Sequence, residues 1–572
     1  MTMALPVASC VSPLERSREA ALREQLITTD RIYRNALSAA PTIELQRTLS
    51  EVEKELEAPR RAELDRIGGP DAYDGVELQL GADLLGEGQV QTVAISLQHA
   101  VHTAAQKNLD VKFAQMQPAV RQTAVTQAQA VFDAVYFANF NFDKLDTPLP
   151  RTTAAMSAPF GTVQEDTRTF VTGIRKVMTT GGQLTVSTQM GRNERVPSFF
   201  SVDSYYDSNI LVSLTQPLLR GFGEDVTRAQ IMLATNAQAF DVQQLRRRLL
   251  ETVNDAETAY WQLVLARHRL LIQQRLLERT IVDRDKIGER RDHDASPVDY
   301  TLANSFVESR RASVILSQNR VRASSDTLKR LINSPDLNVA DEVLLRPVDA
   351  AVAISVQFNL LDAVTTALRH RPEIKQVLLN IQDTAIRQRV ADNARLPQLD
   401  LSATARFNGI GDNVGEAQEL VTDGEFIDYL LGLQFEMPIG NRAANALHRQ
   451  RQLESRSAVI AYQNIAQQVV LETKDAMRAV IDAHRSIEAR VGARLAAADN
   501  LRALDAQAKA GGALDPAFLD LRLRRLEALA AAESDEMEAL TGYHIAISNL
   551  YRAMGTLLKR NGIEFSEQPM ED

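Results

Sequence analysis

Leu399-Asp-Leu-Ser-Ala-Thr-Ala-Arg-Phe407 carries an apolar residue at every odd position and a polar one at every even position. Successive side chains of a strand point to opposite faces, so the stretch reads as a β-strand with one apolar and one polar side. Tyr429, Leu431, Leu433, Phe435 and Met437 repeat the pattern, with Gly432, Gln434 and Glu436 opposite them. Directly afterwards the pattern changes, and from about Arg442 to about Ala510 the chain reads as one very long helix.

The first half of the chain follows the same plan. Tyr136, Ala138, Phe140 and Phe142 alternate with Asn139, Asn141 and Asp143, and Ile210, Val212 and Leu214 lie on one face of a further strand. A helix from about Asp225 to about Arg290 comes next. Its Leu249, Val253, Ala256, Tyr260, Leu263, Leu270, Leu277 and Ile281 keep the 3-4 spacing of a coiled-coil seam, interrupted at Arg267 and Gln274. At 1.5 Å per residue such a helix reaches about 100 Å, a length that suits a bundle or tunnel and no small globular domain.

The repetition extends further. Leu97-Gln-His-Ala-Val-His-Thr-Ala-Ala-Gln-Lys-Asn-Leu-Asp-Val-Lys112 aligns without a gap on Leu360-Leu-Asp-Ala-Val-Thr-Thr-Ala-Leu-Arg-His-Arg-Pro-Glu-Ile-Lys375. Thr215-Gln-Pro-Leu-Leu-Arg-Gly221 corresponds to Glu436-Met-Pro-Ile-Gly440, and Ser296-Pro-Val-Asp299 to Asp515-Pro-Ala-Phe518. Pro217 and Pro297 are 80 residues apart and Pro438 and Pro516 are 78, so two copies of one architecture run through the chain. Ser296-Pro297 and Asp515-Pro516 each set an N-cap residue before a proline at the first helical position. Ser296 with Asp299 approximates a capping box, and Gly511-Gly512 stops the incoming helix of the second half.

Composition narrows the functional class. The net charge of −10 offers no basic patch for nucleic acid. The one cysteine, Cys10, excludes an intrachain disulfide and a cysteine-cluster metal site. No run of eighteen apolar residues occurs, so no helix spans a bilayer, which leaves a soluble protein or a β-barrel. Strands of nine or ten alternating residues fit a barrel with lipid on one side and water on the other. Two strands per repeat give four per chain, too few to close, so the barrel must be shared with further copies, and three copies give twelve strands. Phe170–Val177 and Gln183–Met190, around Thr179-Thr-Gly-Gly182, form a further pair that either joins this barrel or makes a hairpin outside it.

These residues resemble the TolC-like outer membrane efflux family. Asn393-Ala-Arg-Leu-Pro-Gln-Leu399 looks like its helix-to-strand junction, and Gln216-Pro-Leu-Leu-Arg-Gly-Phe-Gly223 like its strand-to-helix exit. Leu328-Lys-Arg-Leu-Ile-Asn333 and Leu550-Tyr-Arg-Ala-Met-Gly555 look like the segments closing each half. The resemblance covers about residues 93 to 560. It implies an α+β membrane protein, a homotrimer in outer-membrane lipid, with a shared transmembrane β-barrel of about four strands per chain and a long periplasmic α-helical barrel. It also implies a passive export conduit, not an enzyme, that docks onto a periplasmic adaptor protein and an inner-membrane transporter. Two departures stand out: Val131-Phe-Asp-Ala134 lacks the family's proline before the first strand, and Arg291-Asp-His-Asp-Ala295 lacks the glycine before the first tip.

The division that follows is residues 1–10, a truncated lipoprotein signal ending at Cys10; 11–90, a polar helical extension; 91–345, the first repeat; and 346–572, the second. Val7-Ala-Ser9 before Cys10 resembles a lipobox, which makes Cys10 the candidate for lipidation. In the family, acidic residues near the second tip narrow the periplasmic entrance. Asp520 matches the first such position, and Leu523 stands at the second. Asp520 also lies four residues before Arg524, the spacing of an ordinary helix ion pair. Ser296, Pro297, Asp299, Gly511, Gly512, Asp515 and Pro516 are the candidate adaptor-docking tips. His99 and His102 share a helix face without a third ligand, the arrangement of surface histidines. No Walker loop, nucleophile elbow or zinc-hydrolase signature occurs, so no cofactor is expected. The rival reading is a soluble coiled-coil scaffold bearing a small β-domain.

Overall fold

The structure, a computed structural model, describes residues 22–28, 42–73, 78–81, 91–148, 162–196, 204–289, 297–509 and 516–565. In chain order the principal elements begin with β1 (Thr42–Leu45), α1 (Glu51–Glu55), α2 (Ala58–Ile67), β2 (Thr92–Ile95), α3 (Leu97–Lys107) and α4 (Leu109–Gln129). The strands β3 (Val135–Pro148), β4 (Thr162–Val177), β5 (Gln183–Val196) and β6 (Ser204–Pro217) follow, then α5 (Ala229–Glu289) and α6 (Pro297–Ile332). The second half holds β7 (Leu344–Pro347), β8 (Val356–Asn359), α7 (Leu360–His370), α8 (Pro372–Asn393), β9 (Gln398–Gly411), α9 (Val414–Asp423), β10 (Ile427–Glu436), α10 (Arg442–Lys509) and α11 (Pro516–Ala553). The expected long helices correspond to α5, of 61 residues, and α10, of 68.

The chain divides into two compact units, each taking segments from both repeats. One holds residues 119–240 and 377–461 and is built on a six-stranded antiparallel sheet in the order β10-β9-β6-β5-β4-β3. This corrects the expectation of about four strands per chain. The pair around Thr179–Gly182 forms β4 and β5, inserted between β3 and β6 and hydrogen-bonded to both. Without the missing proline, the first strand begins after a turn of 3-10 helix at Ala130–Phe132, where Asp133 N donates to Ala130 O at 3.1 Å. The repeats meet at β6 and β9, whose register runs from Tyr206 opposite Gly411 to Pro217 opposite Asp400. α9 lies against β6 and β9 over Gly409, where an added Cβ would come within 1.9 Å of Ala417 O.

The other unit holds residues 25–118, 241–376 and 462–572 and is mainly helical. Along α5, Leu249, Val253, Ala256, Tyr260, Leu263 and Leu270 are all buried, as the seam requires. Its two interruptions have partners: Arg267 Nη1 donates to Pro347 O at 3.2 Å, and Gln274 Nε2 to Gln79 O at 2.6 Å. Two small strand pairs brace this unit, β1 antiparallel to β8 and β2 parallel to β7.

Residues 42–73 and 78–81, within the N-terminal extension, form a strap over the long helices. Ser50 and Glu53 close a capping box at the start of α1. Leu64 of α2 is fully buried in one cluster with Ile272 of α5, Leu495 of α10 and Leu529 of α11. Arg494 fixes the end of α2, with Nη1 donating to Gly68 O at 2.6 Å and Nη2 lying 2.9 Å from Asp65 Oδ1. Arg279 Nη2 donates to Ile67 O at 2.6 Å, and Arg322 Nη2 on α6 to Leu80 O at 2.9 Å.

Candidate functional site

Cross-strand register decides which side chains share a face of the large sheet. Tyr136 stands opposite Ile174, Ile174 opposite Val186, Val186 opposite Val212, Val212 opposite Ala405 and Ala405 opposite Tyr429. The next row on that face is Ala138, Thr172, Thr188, Ile210, Phe407 and Ile427, with Phe140, Phe170 and Met190 beyond it; on the other side Lys176 stands beside Leu184, Leu214, Ala403 and Leu431. One apolar band therefore crosses all six strands. The other face carries Asn139, Thr169, Ser187, Ser213, Thr404 and Gln434, hydroxyls and amides, beside charges such as Arg175, Asp207, Arg406 and Asp428. Tyr429 is 78% exposed and Leu431 76%. An apolar surface this continuous is costly in water and is at home in hydrocarbon.

The band fades at one end of the strands. Arg168 and Arg192 stand opposite each other on the same face, with Arg168 over the Phe142 ring at 5.5 Å and Arg192 over the Tyr206 ring at 5.8 Å. Aromatic and cationic side chains at the border of an apolar band are the pattern of a membrane–water interface. At the other end, the β4–β5 turn is tied to the strand-to-helix exit. Gly181 takes a φ of +94°, and Gly223 N donates to Thr180 O at 3.1 Å. Thr180 Oγ1 donates to Gln216 Oε1 at 2.9 Å.

Among the described residues, both outer strands of the sheet have one unpaired edge. β3 follows α4, which carries an exposed stripe of Leu109, Phe113, Met116 and Val120; β10 leads into α10, where Leu447, Leu453 and Ile460 are exposed. In the helical unit, Arg522 Nε of α11 donates to Asp283 Oδ2 of α5 at 2.9 Å and its guanidinium also meets Asp505 of α10. Arg310 of α6 donates through Nη1 to Thr280 and through Nη2, at 3.1 Å, to Leu523 O. Sequence reading missed this cluster. An aspartate or arginine at a heptad's flank looks like surface charge until the facing helices are known.

The anticipated site residues fall unevenly. Asp520, in α11, pairs with Arg524, Nε to Oδ2 at 2.8 Å, the arrangement that its spacing allows. Pro297 and Pro516 open α6 and α11, and Asp299 lies in the first turn of α6. Cys10, Ser296, Gly511, Gly512 and Asp515 lie outside the described residues. His102 Nε2 lies 3.0 Å from Asn561 O, and no metal-binding cluster occurs among the described residues. Among those residues no helix is long and apolar enough to cross a membrane.

A buried polar cluster sits where the strap crosses the helices. Gly69, Tyr73, His268, Arg494, Glu533 and Glu536 line a cavity of about 30 Å³. Tyr73 donates its hydroxyl to Glu533 Oε2 at 2.6 Å. Burial raises Glu533, against the Tyr73 hydroxyl bond and the nearby arginines, and burial together with Arg267 pushes His268 down to about 4.

An apolar-banded strand sheet and paired long helices on two repeats define the fold of an outer-membrane channel. Solved structures bear this out. The outer-membrane channel OprN is 15% identical with a TM-score of 0.59 over 80% of this chain and 90% of its own. The CmeC channel of Campylobacter jejuni is 14% identical with a TM-score of 0.58 over 86% and 93%. The open-state MtrE channel of Neisseria gonorrhoeae is 14% identical with a TM-score of 0.54 over 91% and 99%. The resemblance to TolC-like efflux channels thus holds at the level of fold. No family model matches the chain, and no curated protein does.

Proposed function

We propose that this chain is the outer-membrane component of a tripartite export system, a passive conduit formed by three copies. The observation that carries the reading is the pair of free sheet edges. β3 and β10 bound an even-stranded antiparallel sheet, so they run in opposite directions. β3 of one copy can then pair with β10 of the next and continue the alternation unbroken. In hydrocarbon an open edge leaves backbone groups unpaired, and closure on further copies removes every edge. The exposed stripes support the same joint, because α4 and α10 continue directly from the two edge strands and would meet wherever those strands do. A trimer follows the family resemblance.

On this reading the sheet lies in the outer membrane of a Gram-negative-type bacterium and the long helices extend into the periplasm. The tips at Ser296, Pro297, Asp299, Gly511, Gly512, Asp515 and Pro516 dock a periplasmic adaptor and, through it, an inner-membrane transporter. Cys10 carries a lipid anchor. Transport energy comes from the partners.

The test is fractionation of the full chain, expressed with its natural leader in a Gram-negative host. It should appear in detergent-extracted outer membrane as a trimer of about 190 kDa, three times 63.3 kDa. A soluble monomer would instead support the scaffold reading.

A further inference from the structure

The inserted hairpin β4–β5 changes the width of any barrel this sheet builds. Its 35 residues from Thr162 to Val196 pair on both sides, β4 with β3 over fourteen positions and β5 with β6 over twelve. On its apolar side Ile174 and Val186 continue the band from Tyr136 to Val212, and Phe170, Leu184 and Met190 lie on the same face, with Thr172, Lys176 and Thr188 between them. A hairpin hanging outside a membrane would have no need of that match. Its other side carries Thr167, Thr169, Thr185, Ser187, Gln189 and Asn193 together with Glu165, Arg175 and Arg195, a polar surface suited to a water-filled lumen.

We propose that β4–β5 is part of the membrane wall, that the trimer closes with eighteen strands, and that the hairpin thereby sets the size of solute that can leave. The inference rests on the channel reading above. With strands about 4.8 Å apart and tilted about 40°, eighteen strands give a wall about 36 Å across and twelve about 24 Å. After side chains are allowed for, the open bore is about 25 Å against about 14 Å. Hydroxyls, amides and charges of both signs share this face, so bulk is the main filter at this end. The cargo class is bulky polar solutes that a twelve-stranded wall would hold back.

The hairpin can be removed without reversing any strand. Deleting residues 162–196 joins outward-running β3 to inward-running β6 with Tyr136 and Val212 still on one face. Full-length and deleted trimers are compared in planar bilayers with neutral polyethylene glycols of graded size, added to one compartment at a time so that the strand end is probed apart from the helical end. Full-length channels should admit polymers of nearly twice the diameter that the deleted form admits. Equal cut-offs in two intact trimers would overturn the proposal and leave the channel reading standing. If full-length protein forms neither trimer nor pore, the channel reading itself fails. A second measurement needs no deletion: spin labels at Thr185→Cys and Val186→Cys in the full chain, with the parent labelled at Cys10 alone as the blank. Val186→Cys should be open to oxygen in lipid and Thr185→Cys to a water-soluble nickel chelate. Both labels reporting water would place the hairpin outside the wall.

Discussion

Arg522 Nε donates to Asp283 Oδ2 at 2.9 Å, joining α11 to α5 six residues after Pro516 and six before Glu289. The Asp283 side chain is only 5% exposed, and Arg522 is the nearer of two cations beside it, Lys286 Nζ lying 3.8 Å away. Losing one member of a buried pair typically costs roughly 3 kcal/mol or more, and less here because Lys286 stays beside Asp283. Because Arg522 also meets Asp505 of α10, the contact fastens the first helical hairpin to the second close to their tips. Arg522→Ala should lower the melting temperature and raise the resting conductance of the channel in planar bilayers. Arg522→Lys, which keeps the charge without the two-pronged geometry, should fall between. Unchanged conductance in Arg522→Ala trimers would show that this fastening does not hold the tips shut.

Asp520 offers a cleaner electrical test. Its partner Arg524 is 72% exposed, and a surface pair at i,i+4 contributes only about 0.5 kcal/mol, so Asp520→Ala should leave melting nearly unchanged. If three copies of Asp520 face the axis, the variant should lose cation selectivity and block by multivalent cations. Replacing Asp299 should do less. Selectivity and block identical to the parent's would leave Asp520 as an ordinary helix ion pair.

The strap can be loosened at one residue. Leu64→Ala removes a fully buried side chain from a cluster fed by α2, α5, α10 and α11, a change that typically costs about 2–5 kcal/mol. Hydrogen exchange of residues 51–73 should speed up well before the rest of the helical unit does. Arg60→Ala is the control: its 2.9 Å contact to Asp499 is exposed and its loss should cost under about 1 kcal/mol. Equal effects of the two variants would mean that the strap is not held by its core contact.

His268 makes stability depend on pH. Its folded pKa is pushed down to about 4, so the unfolded chain takes up a proton near 6.5 while the folded chain does not. The stability this provides is complete above about pH 6.5 and is lost as pH falls through about 4. Glu533 works the other way, since its raised pKa favours the folded state in acid. His268→Gln should therefore flatten, or even reverse, the fall in melting temperature between pH 6.5 and 4. A pH profile parallel to the parent's would show that the histidine is not the titrating group.

The seam of α5 was legible because Leu249 to Leu270 repeat at spacings that only a helix brings to one side. Arg267 and Gln274 could be seen as breaks, but their acceptors lie 80 and 195 residues away and belong to the tertiary fold. In β4 and β5 the alternation was readable around Phe170 and Val186 and faded at Arg168, Arg192 and Glu194. Beyond the apolar band both faces are polar and period 2 carries no contrast. Whether that hairpin joined the sheet depended on pairing with β3 and β6, which no local pattern specifies. The strap was least legible: Leu64 stands among arginines and glutamates, and the helices that bury it come more than 200 residues later.

The strap also orders events in time. Thr48 meets Glu488 across 440 residues, Arg60 meets Asp499 across 439 and Tyr73 meets Glu533 across 460. Synthesis proceeds from the N-terminus, so residues 42–81 emerge long before α10 and α11 exist to receive them. Contacts of such sequence separation also carry the largest loop-closure cost and form late. Leu64 and the hydrogen-bonding groups around it must wait, hydrated, until the chain is nearly whole. A segment made early is thus fastened last, and a chain truncated before Leu529 leaves it loose and open to proteases.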